Sequence, residues 1–151
     1  MNEINNHPID ILLVEDNSAD IKITLRAFEK AKIKNNIYVV RDGEEAIDFI
    51  FHKNIYEDSK KYPCPDLILL DINMPKLNGF EVLKILKKDE KYDYIPIVIL
   101  TSSKNEEDVF SSFKFGAVSY IQKPVTYENF QEVIDRFNFY WHIINKLPKK
   151  C

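Results

Sequence analysis

Short apolar runs rich in β-branched residues recur along the chain, at residues 9–14, 37–40, 67–70, 97–100 and 118–121. Most are continuous rather than alternating, the pattern of strands covered on both faces. Amphipathic stretches separate them. Ile21, Leu25 and Phe28 recur at helical spacing in the first, and Phe80, Leu83 and Leu86 in the third. Asp42-Gly43, Asn78-Gly79 and Gly116 punctuate the units as turn or cap residues. Asn105-Glu106-Glu107-Asp108 puts acids where a helix start favours them. Each strand-plus-helix unit has roughly the length that a βαβ crossover requires. Right-handed crossovers then place helices on both faces of a parallel sheet. The expected fold is α/β, a doubly wound parallel (βα)5 sheet. Residues 1–151 are read as one domain with its core at about 9–144. The aperiodic stretch 53–65 is expected to be a long loop before the third strand.

Composition narrows the function classes. The apolar fraction of 45% is ordinary for a globular chain. Lys plus Arg total 21 against 24 for Asp plus Glu, a formal net charge of -3, with no basic stripe to meet a nucleic acid. No apolar run approaches the ~20 residues of a membrane span, and residues 1–10 do not resemble a signal peptide. Cys64 and Cys151 lie far apart in sequence. A disulfide is not expected, Cys64 reads as a plain loop thiol, and the expected compartment is the cytoplasm. His7, His52 and His142 are scattered without metal-ligand spacing.

Open α/β sheets bind ligands outside the carboxyl ends of their strands, so the residue following each apolar run carries the information. Glu15 and Asp16 follow Val14, Asp71 follows Leu70, Thr101 follows Leu100, and Lys123 follows Ile121 and Gln122. Each has an ordinary reading on its own: helix-start acids for Glu15 and Asp16, turn or cap residues for Asp71 and Thr101, a surface charge for Lys123. Together they deliver three carboxylates, a hydroxyl and an ammonium to one sheet edge. Clustered carboxylates repel, and a divalent cation with hard oxygen ligands, such as Mg²⁺, relieves that cost. The chemistry that follows is phosphoryl transfer to a carboxylate. Asp16 and Asp71 would hold Mg²⁺, which would neutralise a phosphoryl oxygen as a Lewis acid, while Lys123 and Thr101 would serve the other oxygens.

These residues resemble the bacterial response-regulator receiver domains. The resemblance rests on Val14-Glu15-Asp16, Leu70-Asp71-Ile72-Asn73-Met74-Pro75, Asn78-Gly79, Leu100-Thr101-Ser102 and Tyr120-Ile121-Gln122-Lys123-Pro124. It implies a flavodoxin-like sheet of strand order 2-1-3-4-5 and Asp71 as phosphoacceptor. It also implies Asp16 and the Asn73 backbone carbonyl as metal ligands, with Glu15 acting through water. Thr101 and Tyr120 resemble the switch pair of that family, Lys123 its charge clamp, and the Lys123–Pro124 peptide its cis bond. Glu15 departs from the pattern conservatively, standing where many receivers carry Asp. A narrower resemblance is to stand-alone regulators that partner phytochrome-type histidine kinases. It is carried by Pro65-Asp66-Leu67-Ile68-Leu69-Leu70-Asp71, by residues 101–108, by the loop before the third strand, and by a tail with Phe139, Trp141 and Leu147-Pro148. A sensor histidine kinase is the implied partner, an unidentified protein the downstream reader, and DNA binding by this chain is not expected.

Three other readings are weighed against this one. A phosphohydrolase with an aspartyl nucleophile needs a second Asp two positions on as acid/base, where this chain has Asn73. A flavin-binding domain needs a phosphate cradle in its first loop, where this chain offers Glu15, Asp16 and Asp20. A degenerate docking module would have lost Asp71 or Lys123. Finally, Phe130, Val133, Ile134, Phe137, Trp141 and Ile144 form one helical stripe, yet Phe139, Tyr140 and Ile143 fall outside it. An isologous homodimer through Phe137, Phe139, Tyr140, Trp141 and Ile144 is expected; the alternative is a tail that folds back over them.

Overall fold

The computed structural model describes residues 8–30, 34–74, 76–102 and 106–136. In chain order these form β1 (Ile9–Val14), α1 (Ser18–Glu29), β2 (Asn35–Val40), α2 (Gly43–Ile50), β3 (Leu67–Asp71), α3 (Gly79–Lys87), β4 (Ile97–Thr101), α4 (Glu106–Lys114), β5 (Ser119–Gln122) and α5 (Tyr127–Arg136). The strands build one parallel sheet in the order β2-β1-β3-β4-β5. The doubly wound (βα)5 sheet read from the apolar runs is therefore the fold observed.

Burial along the strands explains the continuous apolar pattern. Every residue of β3 and β4 is buried, and β1 exposes only Asp10 partly. The outer strands differ: β2 is mostly half-buried and β5 alternates buried with exposed. An edge strand lacks a neighbour and is covered less fully, so β2 begins with the polar Asn35 and Asn36, ahead of its apolar run. Alternate strand residues feed two cores. Leu12, Val14, Ile68, Leu70, Ile97 and Ile99 pack with Phe49, Ile50, Val82 and Leu86 of α2 and α3. Ile11, Leu13, Leu67, Leu69, Val98 and Leu100 pack with α1 and α5. There Phe28 and Phe130 meet with ring centroids 4.4 Å apart.

Local signals set the helix starts. Asn17, Asp42 and Asn78 each accept a hydrogen bond from the backbone N–H three residues on. Asn78 and Glu81 complete a reciprocal capping box. Gly116 ends the α4 unit at φ 109°, a left-handed conformation that favours glycine.

Two expectations change. The stretch 53–65 contains a 3-10 turn at Asn54–Tyr56. Tyr56 and Tyr62 fold onto Phe49 at centroid distances of 5.1 and 5.7 Å, and the Tyr56 hydroxyl donates to Glu45 at 2.5 Å. Aromatic packing orders a segment without period. Cys64 is buried and disulfide-bonded, which corrects the reading of a plain loop thiol. Separation in sequence set that reading, whereas the fold determines what a buried sulfur meets. The chain's other cysteine, Cys151, and the proposed dimer residues Phe137, Phe139, Tyr140, Trp141 and Ile144 lie outside the described residues. Among the described residues no helix is long and apolar enough to cross a membrane.

Gly79 ties α3 to the end of β3. Its N–H donates to the Ile72 carbonyl at 3.0 Å, and a Cβ there would lie 2.4 Å from the Asp71 carbonyl oxygen. Both neighbours are backbone, so the clash cannot be relieved by a rotamer change. Gly79→Ala is expected to lower unfolding stability by about 1–3 kcal/mol. An unchanged urea midpoint would show that the β3–α3 turn has slack.

Candidate functional site

The carboxyl edge of the sheet gathers the residues singled out from sequence. The Glu15 N–H still donates to the Val40 carbonyl at 3.0 Å, so the ladder holds this residue, and its side chain is fully buried. Asp16, one step further, is exposed. Asp71 closes β3 and is only 4% exposed. Its Oδ1 accepts the Asn73 N–H at 3.1 Å, which orients the carboxylate. Thr101 closes β4 and is buried, and its carbonyl accepts the Lys123 N–H at 2.8 Å. The next peptide, Lys123–Pro124, is cis.

Lys123 reaches from beyond β5 into the cluster. Its Nζ lies 2.5 Å from Glu15 Oε1 and 3.1 Å from both Asp71 Oδ2 and Asp20 Oδ2. The Glu15 contact is one of charge: Oε1 makes no hydrogen bond of good direction, although it is buried. Burial, followed by the neighbouring Asp71, pushes the Glu15 carboxyl up to about 7. Burial alone would lower the Lys123 ammonium. The close contact with Glu15 and the charge of Asp71 more than offset that, and Lys123 is held above its ordinary range.

Carboxylate oxygens of Glu15, Asp16 and Asp71 all lie within 4.8 Å of one another. An all-oxygen set of this kind suits a hard divalent cation, and the donors present therefore fit one. A carboxylate fixed at a strand end, a lysine beside it and a set of oxygen donors that fits a cation together suit charge neutralisation around a transferred anionic group.

The structure brings Glu15, Asp16, Asp71, Thr101 and Lys123 to one edge. Asn73 follows in the same loop and is exposed. Tyr120 is placed differently: on β5 it is 44% exposed and meets Phe113 edge-on at 6.2 Å. Sequence named Asp20 only as a first-loop acid and did not single out Arg41. Asp20 lies in the first turn of α1, where an acid already has a helix-dipole explanation. Arg41 follows β2, and its guanidinium donates to the Asp16 carbonyl at 3.3 Å and to Ser18 Oγ at 3.2 Å. Only the closeness of these loops in space marks either residue.

Residues 11–135 match the response regulator receiver domain family. Response regulator Rcp1 of Synechocystis sp. (strain ATCC 27184 / PCC 6803 / Kazusa) is 35% identical over 148 residues, covering 98% of this chain and 99% of that protein. Its Mn(2+)-bound structure matches with a TM-score of 0.73 at 34% identity, covering 89% of this chain and 94% of the other. The phosphorylated cyanobacterial phytochrome response regulator RcpA matches with a TM-score of 0.74 at 35% identity and the same coverage, 89% and 94%. The probable methanogenesis regulatory protein FilR2 of Methanothrix harundinacea (strain 6Ac) is 34% identical over 141 residues, 93% of this chain and 88% of that protein.

The buried Glu15 carboxyl has a consequence for stability. Its folded pKa is raised from 4.5 to about 7. The folded state therefore holds this proton more tightly than the unfolded chain. That stabilisation is complete below about pH 4.5 and is lost as pH rises through about 7, a contribution of at most roughly 3 kcal/mol. In chelator, Glu15→Gln is expected to flatten the pH dependence of urea unfolding across this window. An unaltered slope in the variant would remove Glu15 as its source.

Proposed function

This chain belongs to the response regulator receiver domain family, and we propose that it accepts a phosphoryl group from a sensor histidine kinase on Asp71. The observation that carries this is the position of Asp71, buried at the end of β3 with the Lys123 ammonium 3.1 Å from Oδ2. A carboxylate oxygen of Asp71 attacks phosphorus and forms the P–O bond of an acyl phosphate. The P–N bond to the donor imidazole breaks, and its electron pair stays on the departing nitrogen. Lys123 neutralises one phosphoryl oxygen and the Thr101 hydroxyl donates to another. Asp16, Asp71 and the Asn73 carbonyl are the proposed ligands of Mg²⁺, with Glu15 acting through water. The cation supplies Lewis-acid neutralisation of the transferred group.

Asn73 supports a signalling role over substrate turnover, because an amide does not serve as general acid/base. The Thr101 hydroxyl shifting toward the new phosphoryl, with Tyr120 moving in response, is the proposed switch. The half-exposed ring of Tyr120 against Phe113 has room for that movement. Similarity to Rcp1 and RcpA supports a phytochrome-type kinase as the partner, and a cytoplasmic setting follows from that partnership. Self-association through Phe137, Phe139, Tyr140, Trp141 and Ile144 belongs to the same proposal.

With Mg²⁺ and a small acyl-phosphate donor, intact mass is expected to rise by one phosphoryl group. Asp71→Asn and chelation should each abolish the gain, and Asp16→Asn should slow it sharply. Labelling of Asp71→Asn at the wild-type rate would overturn the assignment. Thr101→Ala is expected to take the label while amide signals near Tyr120 stay unshifted; a full wild-type shift would exclude the hydroxyl as the link. Sedimentation should show a dimer at tens of micromolar (a concentration typical of modest interfaces) that Phe139→Asp/Tyr140→Asp dissociates. A wild-type monomer there, with and without beryllium fluoride, would remove dimerisation from the reading.

A further inference from the structure

Lys123 Nζ contacts three carboxylates, Glu15, Asp20 and Asp71. An ammonium has three N–H donors; two go to Asp20 and Asp71, and Glu15 Oε1 at 2.5 Å crowds the remaining side, so the ammonium is engaged on every side before any phosphoryl group arrives. A phosphoryl oxygen gains Lys123 only if one carboxylate gives way. Glu15 is fully buried, and turning it away would leave its charge without compensation. Asp71 is the residue that receives the group. Asp20 is the carboxylate with access to water, its side chain 30% exposed beside a Lys123 side chain at 12%.

The backbone of Asp20 is held while its carboxylate is not. Its N–H donates to Asn17 Oδ1 at 2.9 Å, and its carbonyl accepts the Thr24 hydroxyl at 2.8 Å. Rotation of the side chain alone would therefore move the carboxylate from Lys123 into solvent. Dipole stabilisation accounts for an acid in the first turn of α1. It does not account for a contact with a lysine 103 residues away in sequence. Asp20 also adds one negative charge to those of Glu15, Asp16 and Asp71, facing the place where an anionic group must sit.

We propose that Asp20 is a positioning residue that competes with the phosphoryl group for Lys123, holding the ammonium in the unmodified chain and releasing it on phosphorylation. Asp20 thereby sets how readily the site takes and keeps an anion, through repulsion and through occupation of the clamp. This inference rests on the phosphoryl-site reading of Asp71.

The test is a titration of wild type, Asp20→Asn and Asp20→Glu with beryllium fluoride in saturating Mg²⁺, followed by fluorine NMR, with circular dichroism to verify folding. Asp20→Asn is expected to bind the phosphoryl mimic roughly three- to tenfold more tightly, the effect of removing one partly exposed charge pair. Asp20→Glu restores the charge and should return affinity toward wild type. A purely structural helix-start acid would change thermal stability and leave these affinities equal. Equal or weaker binding by Asp20→Asn, or tightening by Asp20→Glu as large as that by Asp20→Asn, overturns the competition. Wild type that does not bind beryllium fluoride at all overturns the phosphoryl-site reading, and this inference with it.

Discussion

The Lys123 ammonium lies where β1, β3 and α1 each direct a carboxylate at the same small volume. Carboxylates at such distances repel one another, and burial removes the water that would screen them. Lys123 meets that cost from inside the protein. Its own burial would favour the neutral amine, and the neighbouring Glu15 and Asp71 keep the ammonium charged. Glu15 shows how narrow the balance is, because even with the ammonium beside it burial keeps its carboxyl near neutrality.

Everything else about the carboxyl edge follows from placing those groups accurately. Parallel pairing sets Asp71 level with Leu100 and Thr101 level with Gln122, so adjacent strands end on the same side in a fixed stagger. Alternate residues of the two fully buried central strands fill two different cores, so a one-residue shift would exchange the side chains that each core is packed around. Gly79 lets α3 begin against the backbone of Asp71, and the Asn78–Glu81 box fixes where it begins. Asp71 and the Lys123 side chain are thus the enclosed parts of the edge. Asp16 and the ring of Tyr120 sit at the accessible margin, where a ligand or a partner reaches them.

The sheet and most of the charged cluster at its carboxyl edge were legible because both are written in local pattern. A buried parallel strand needs an unbroken apolar run, and the polar residue that ends it stands out by contrast, as Asp71 does after Leu70. The stretch 53–65 was illegible because its order comes from Tyr56 and Tyr62 stacking on Phe49, a contact without period. The pairing of Asp20 with Lys123 was missed for another reason. The local role of Asp20 as a first-turn acid was already satisfied, and nothing in a chain order marks a second role set by Lys123. Cys64 shows the same limit, since its bonding depends on where the fold carries its sulfur.

What the amino-acid sequence determined by itself was the number of strands and helices, the caps at Asp42 and Asn78, and most of the charged residues sent to one sheet edge. Hydrophobic periodicity and capping act within a few residues, so they can be read along the chain. Tertiary structure alone decided how those charges pair. Whether Lys123 meets Glu15, Asp20 or Asp71 depends on distances of a few ångströms between segments far apart in sequence. Coulomb energy and desolvation change steeply over such distances. The pairing that shapes this site therefore comes into being only when the loops are closed against one another.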